Sequence, residues 1–191
     1  MDTKSVMICG VGGQGILLAS DLLSQTILEQ GMDVKKSEVH GMSQRGGSVV
    51  SSIRFGASVY SPLIGKGDVD ILLAFEKLEC VRQLEFLKCN GTVIVNDFAI
   101  DPLPVACGLA EYPKNIIEII KKSIPSTIVV DGLALAKKAG NVRSMNIVLL
   151  GVLAKKLALD ISLCYDVIEK RVPKKTWKVN KRAFELGCNS V

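Results

Sequence analysis

The chain has 191 residues, of which 48% are hydrophobic, with a mean hydropathy of +0.33. That composition buries one good core and leaves little room for two, so a single domain over 1–191 is expected. The net charge of +5 gathers near the end in Lys170, Arg171, Lys174, Lys175, Lys178, Lys181 and Arg182, a pattern of a solvated helical face or a dock for an acidic protein rather than a nucleic-acid surface.

In chain order, Ser5 to Cys9 is a short apolar run that reads as a fully buried first strand. Gln14 to Gln30 carries Ile16, Leu17, Ala19, Leu22, Leu23, Ile27 and Leu28 at helical spacing, and Gly31 stops it. Asp33 to Ser37 is a half-exposed second strand. From Ser48, residues Val49, Ser51, Ile53 and Phe55 alternate with polar or small ones, Gly56-Ala57 supplies a turn and Val59-Tyr60 begins a return, which predicts a β-hairpin. Asp70 to Phe75 and Thr92 to Asn96 are buried-type strands, separated by a helix over Glu76 to Lys88. A short helix over Ile116 to Lys122 precedes the strand Thr127 to Val130. Beyond Gly132 the pattern is helical: Leu133 to Ala139, Met145 to Ala158, Cys164 to Val172 and Lys178 to Leu186. The predicted fold is α/β: a Rossmann-like wound sheet, mostly parallel with a β-hairpin insertion, helices on both faces and a helical C-terminal region.

The six cysteines, Cys9, Cys80, Cys89, Cys107, Cys164 and Cys188, include no C-x-x-C pair. Iron–sulfur clusters and structural zinc need clustered thiolates, so neither is expected here, and the spacing suits reduced thiols of a cytoplasmic protein. No apolar stretch reaches about 18 residues, so no membrane span is expected.

Gly10-x-Gly12-x-x-Gly15 satisfies the dinucleotide fingerprint literally and lies between a first strand and a first helix. Its glycines would allow a tight turn and close backbone approach to phosphate at a helix N-terminus. The alternative is that they let the helix pack on the strand. Glu38 is the candidate for the ribose-binding acid, but it sits in a loop dense with other polar groups.

That loop, His40-Gly41-Met42-Ser43-Gln44-Arg45-Gly46-Gly47, holds the only histidine and three glycines. Glycines there suggest a backbone bent to approach something closely, with Gln44 and Arg45 able to donate to a carboxylate or phosphate. His40 is a candidate acid–base group or a hydrogen-bonded structural histidine. Arg45 is a candidate for anion or partner contact, or a solvated side chain. A parallel α/β unit would place this loop and the glycine turn on one sheet edge.

Gly10-Val11-Gly12-Gly13-Gln14-Gly15, Glu38 to Val49, and Tyr60-Ser61-Pro62-Leu63-Ile64 together resemble the gamma-type subunit or domain of the 2-oxoacid:ferredoxin oxidoreductases. The His-Gly-Met-x-Gln-Arg-Gly-Gly wording is most similar to the beta subunit of the indolepyruvate type. The likeness continues through Asp70 to Glu76, Gly91 to Asn96, the helix with Asn146 and the ending Asn180 to Gly187. What the resemblance implies is oxidative decarboxylation of an arylpyruvate with coenzyme A, giving an acyl-CoA, carbon dioxide and reduced ferredoxin. It also implies that thiamine diphosphate, Mg2+ and the iron–sulfur clusters belong to a larger companion subunit, with no cofactor bound by this chain alone. The residues agree, since no Gly-Asp-Gly run of the thiamine type occurs. Gly10, Gly12, Gly13, Gln14, Gly15, Glu38, His40, Gly41, Met42, Gln44, Arg45, Gly46 and Gly47 would then form two loops facing the companion's active centre or the approach of coenzyme A. Two other readings compete: a stand-alone NAD(P)-dependent oxidoreductase built on the glycine turn, and a non-catalytic scaffold docking through its basic terminal helices.

Overall fold

Side-chain alternation along the first strand sets the layers of the molecule. In β1 (Lys4–Val11), Val6 and Ile8 enter one hydrophobic cluster while Met7 and Cys9 enter another on the opposite face. A strand covered on both faces reads as continuous apolar sequence, which is why Ser5 to Cys9 lacks a polar side. This computed structural model describes residues 3–40 and 47–191.

Among the described residues, β1 is followed by α1 (Ile16–Glu29), β2 (Asp33–His40), β3 (Ser48–Gly56), β4 (Val69–Ala74), α2 (Lys77–Gln83), β5 (Leu87–Asn96), α3 (Leu103–Ala106), α4 (Ile116–Ser123) and β6 (Thr127–Val130). Four helices complete the order: α5 (Gly132–Ala139), α6 (Met145–Lys156), α7 (Ile161–Arg171) and α8 (Trp177–Cys188). The strands form one six-stranded sheet in the order β2-β3-β1-β4-β5-β6. Neighbours from β1 to β6 pair in parallel, whereas β3 is antiparallel to both β1 and β2, so β3 alone runs against the rest. The expected α/β architecture is therefore present. α1 and α5 to α8 cover one face, and α2 and α4 the other.

Three expectations need correction. The hairpin lies earlier than predicted: β3 is a single strand of nine residues, and it pairs back onto β2 from Asp33 opposite Gly56 to His40 opposite Val49. Lying between β1 and β2, β3 gains a full ladder on each side, which a return over Val59-Tyr60 could not match. Val59 instead donates its N–H to Asp33 Oδ2 at 2.8 Å. The second strand runs to His40, past the predicted end at Ser37. The helix expected over Glu76 to Lys88 stops at Gln83, and after one tight turn Leu87 is already paired with Val69 in the sheet.

The C-terminal helices are held by a nearly fully buried α6. A Cβ on its Gly151 would meet Phe184 O at 2.3 Å, and one on Gly187 would meet Val148 O at 2.0 Å. Glycine at both positions lets α6 and α8 approach at backbone distance. The basic residues at the end remain exposed as expected, with Arg171 paired to Asp21 at 3.4 Å and Lys181 over the Tyr165 ring at 5.1 Å. Among the described residues no helix is long and apolar enough to cross a membrane.

Candidate functional site

The site is built at the edge where β1, β4 and β5 end. The chain leaves β1 toward β2 on one side and leaves β4 toward β5 on the other, so the crevice between the ends of β1 and β4 is the topological switch point of the sheet. Gln14 fills it. Its Oε1 accepts from the Val11 N–H at 2.7 Å and its Nε2 donates to Phe75 O at 3.1 Å. Asn96, at the end of β5, donates to the same Phe75 carbonyl at 3.1 Å and accepts from the Gly132 N–H at 2.9 Å. Two side-chain amides thus tie three strand ends and the start of α5 into one rigid rim.

Beside this rim the Gly12 N–H donates to Gly47 O at 2.8 Å. That bond joins the glycine turn to Gly47, the residue before β3, on one edge of the sheet. The approach arises from an antiparallel β3 next to β1, with Val11 opposite Ser48, and not from the parallel unit suggested by the sequence. Ser48 Oγ donates at 2.6 Å to Glu79 Oε2, and the other oxygen of Glu79 is paired with Arg82. Glu79 is 3% exposed, so the hairpin base rests on a buried, satisfied carboxyl group.

Two of the fingerprint glycines are explained by the protein's own atoms. A Cβ on Gly10 would meet Gln14 Oε1 at 2.6 Å and Phe75 Cβ at 2.8 Å. At Gly15, which caps α1 with φ 83°, it would meet Asn146 Nδ2 at 2.5 Å. Gly13, with φ 101°, faces open space. The first and third glycines of the fingerprint thus make room for Gln14 and Asn146 of the protein itself. The acid is displaced. Because β3 lies between β1 and β2, Glu38 stands two strand spacings from β1, about 10 Å, instead of one. Glu38 Oε1 lies 2.6 Å from Lys36 Nζ and 3.4 Å from Ser20 Oγ, binding β2 to α1. Classical nicotinamide binding at this turn does not fit these residues.

His40 closes β2 opposite Val49. Gly41, Met42, Ser43, Gln44, Arg45 and Gly46 lie outside the described residues. Sequence reading gave no role to Phe75, Glu76, Glu79, Asn96, Tyr112 or Asn146. Glu76 is 1% exposed and accepts from the Glu79 N–H at 2.9 Å, the Ile100 N–H at 3.3 Å and the Tyr112 hydroxyl. A usable signal was present: Glu76 and Asn96 each stand at the end of an apolar strand, where such sheets place their functional groups.

The cysteines approach one another only in the pairs Cys9 with Cys80 and Cys164 with Cys188. Cys9 and Cys80 are buried, Cys89 and Cys107 are exposed, and among the described residues no group of three or more His, Cys, Asp and Glu could hold a metal. Burial, aided by neighbouring Cys80, Glu79 and Glu76, pushes the Cys9 thiol well up, and burial then Glu76 push Cys80 up to about 12. Without clustered thiolates among the described residues, the donor set does not fit an iron–sulfur cluster. What the edge provides is a shape fixed by its own internal hydrogen bonds.

Residues 5–190 match the family described as pyruvate ferredoxin/flavodoxin oxidoreductase. The chain belongs to that family. Within it, the chain is 41% identical over 195 residues to an indolepyruvate oxidoreductase subunit IorB from Thermococcus kodakarensis, covering 100% of this chain and 96% of that protein. It is also 41% identical to the subunit of the same name from Pyrococcus horikoshii, again over 100% of this chain and 96% of the relative. In fold it matches a keto/oxoacid ferredoxin oxidoreductase gamma subunit from Geobacter sulfurreducens, with TM-score 0.73 and 22% identity over 98% of this chain and 97% of that one. A 2-oxoglutarate:ferredoxin oxidoreductase chain from Magnetococcus marinus gives TM-score 0.75 at 20% identity, covering all of this chain but 31% of that one. In that neighbour the same fold is one part of a longer polypeptide.

Proposed function

We propose that this chain is the small subunit, a single domain, of a cytoplasmic thiamine diphosphate-dependent 2-oxoacid:ferredoxin oxidoreductase of the indolepyruvate type. The complex would decarboxylate an arylpyruvate, join the acyl group to coenzyme A and pass the released electron pair to ferredoxin, with no activity in the isolated chain. Thiamine diphosphate, Mg2+ and the iron–sulfur clusters would sit in the larger companion subunit. The likeness to indolepyruvate oxidoreductase subunits over nearly their whole length supports the assignment, and the lack of a metal-ligand cluster among the described residues is consistent with redox groups held elsewhere.

The observation that supports this role is the Gly12 to Gly47 hydrogen bond of 2.8 Å, which brings Gly47 beside the glycine turn on a rim tied by Gln14 and Asn96. In this reading Gly10 and Gly15 permit the packing that fixes the rim, Gly12, Gly13 and Gly47 present backbone to the companion, and Glu38 ties β2 to α1. His40, Gly41, Met42, Gln44, Arg45 and Gly46 would face the companion's active centre or incoming coenzyme A. The test is to combine the companion with wild type, His40→Ala and Arg45→Ala chains and to measure assembly and turnover. Wild type should restore turnover that neither chain has alone, and each variant should lower it by roughly tenfold or more, about 1.4 kcal/mol. Unchanged assembly and rate in both variants would remove this segment from function.

A further inference from the structure

Between Asp101 and Glu111 the chain runs Pro102-Leu103-Pro104-Val105-Ala106-Cys107-Gly108-Leu109-Ala110, nine residues without a charge. Leu103 is 77% exposed and Leu109 83% exposed, and most of the residues between them are exposed too. An exposed leucine alone needs no explanation, but an uncharged run of this length is what the centre of a protein interface looks like. The run is also built into the fold. Both its ends are clamped by one buried carboxyl group, since Glu76 accepts from the Ile100 N–H at 3.3 Å on one side and from the Tyr112 hydroxyl on the other. Turns inside it close on themselves, with Ala106 N–H to Pro102 O at 3.0 Å and Leu109 N–H to Pro104 O at 2.8 Å. A buried acid holding both ends of an apolar projection stabilises its presentation to solvent, which gains the folded chain nothing by itself.

We propose that this projection is a docking knob for the larger companion subunit, seating Leu103 and Leu109 in an apolar pocket rimmed by lysine or arginine. The occupant follows from charge and place. Exposed Asp101 and Glu111 flank the apolar centre directly, so the complementary rim is basic. Two copies of this chain meeting knob to knob would oppose like charges there, and an anionic lipid surface would meet the same repulsion. The projection rises from the end of β5, two strands from β1 on the same sheet edge as the Gly12–Gly47 contact, so one partner face of ordinary size reaches both.

The inference rests on the subunit reading above, and the experiment separates the two. Purified companion is titrated with wild type, with Leu103→Asn/Leu109→Asn, with Asp101→Lys/Glu111→Lys, and with Leu28→Asn as a control at an exposed leucine elsewhere. The leucine pair should weaken binding by at least thirtyfold and the charge reversal by about tenfold, the latter fading as salt is raised. The control should bind as wild type, and the melting temperature of the free chain should move by no more than about 2 °C in any variant. Affinity within threefold of wild type for the leucine pair overturns the knob while leaving the subunit reading intact. A free chain that self-associates through these leucines overturns the choice of occupant. A wild-type chain that fails to bind the companion overturns the subunit reading and the knob with it.

Discussion

Gly15→Ala separates the two explanations of the glycine turn, packing against ligand approach. Gly15 holds φ 83°, and an added Cβ would lie 2.5 Å from Asn146 Nδ2 and 3.1 Å from its Cγ. Placing alanine in the left-handed region costs about 1–2 kcal/mol. Overfilling a packed site adds about 1–3 kcal/mol. The sum is roughly 2–5 kcal/mol, and at about 2–4 °C per kcal/mol for a chain of this size the fall in melting temperature is readily measured. Only the steric part depends on Asn146, which is 6% exposed and whose Oδ1 accepts from the N–H of its neighbour Ile147 at 2.9 Å. Truncating it in the Gly15→Ala background should therefore return about 1–2 kcal/mol. In urea unfolding, Gly15→Ala/Asn146→Ala should be less destabilised than the sum of the single variants by at least about 1 kcal/mol. Additivity within about 0.5 kcal/mol would refute the packing account, because residues in contact should couple.

Three further outcomes are expected. Gln14→Ala leaves the Val11 N–H without its acceptor and takes one donor from Phe75 O, so denaturant unfolding should show a loss of about 1–3 kcal/mol. Glu76→Gln puts an NH2 where one carboxyl oxygen accepts, so it should cost about 1.5–3 kcal/mol and speed amide exchange selectively around Ile100 and Tyr112; uniform exchange would contradict the clamp. Native thiol titration at pH 8 should modify Cys89 and Cys107 at once and spare Cys9, Cys80 and Cys164 until unfolding. Burial pushes Cys80 and Cys164 up to about 12, so the folded chain keeps protons that an unfolded thiol releases above about pH 8.5. That stability is intact below pH 8.5 and should be lost as pH rises through 9 toward 12, and a flat profile there would contradict the burial account.

The alternation of apolar strands and helices was legible along the chain, because a strand buried on both faces leaves a run such as Val6 to Cys9 and a packed helix leaves Ile16, Leu22, Leu23 and Ile27 at fixed spacing. The wording around Gly10–Gly15 and His40–Gly47 also carried the family resemblance, since residue order is read directly whatever the register of the sheet. Neighbouring strands were not legible. β3 entered between β1 and β2 because its alternating residues complete two ladders at once, and that insertion moved the hairpin and put Glu38 a strand too far for a ribose. Nor could spacing along the chain show that Gln14 and Asn96 share the Phe75 carbonyl, that Asn146 abuts Gly15, or that Glu76 clamps Ile100 and Tyr112. Those are contacts between residues far apart in sequence, made only when the strand ends are brought to a common edge. Local pattern records which surfaces must be buried, while which polar groups meet once they are buried is settled by tertiary packing.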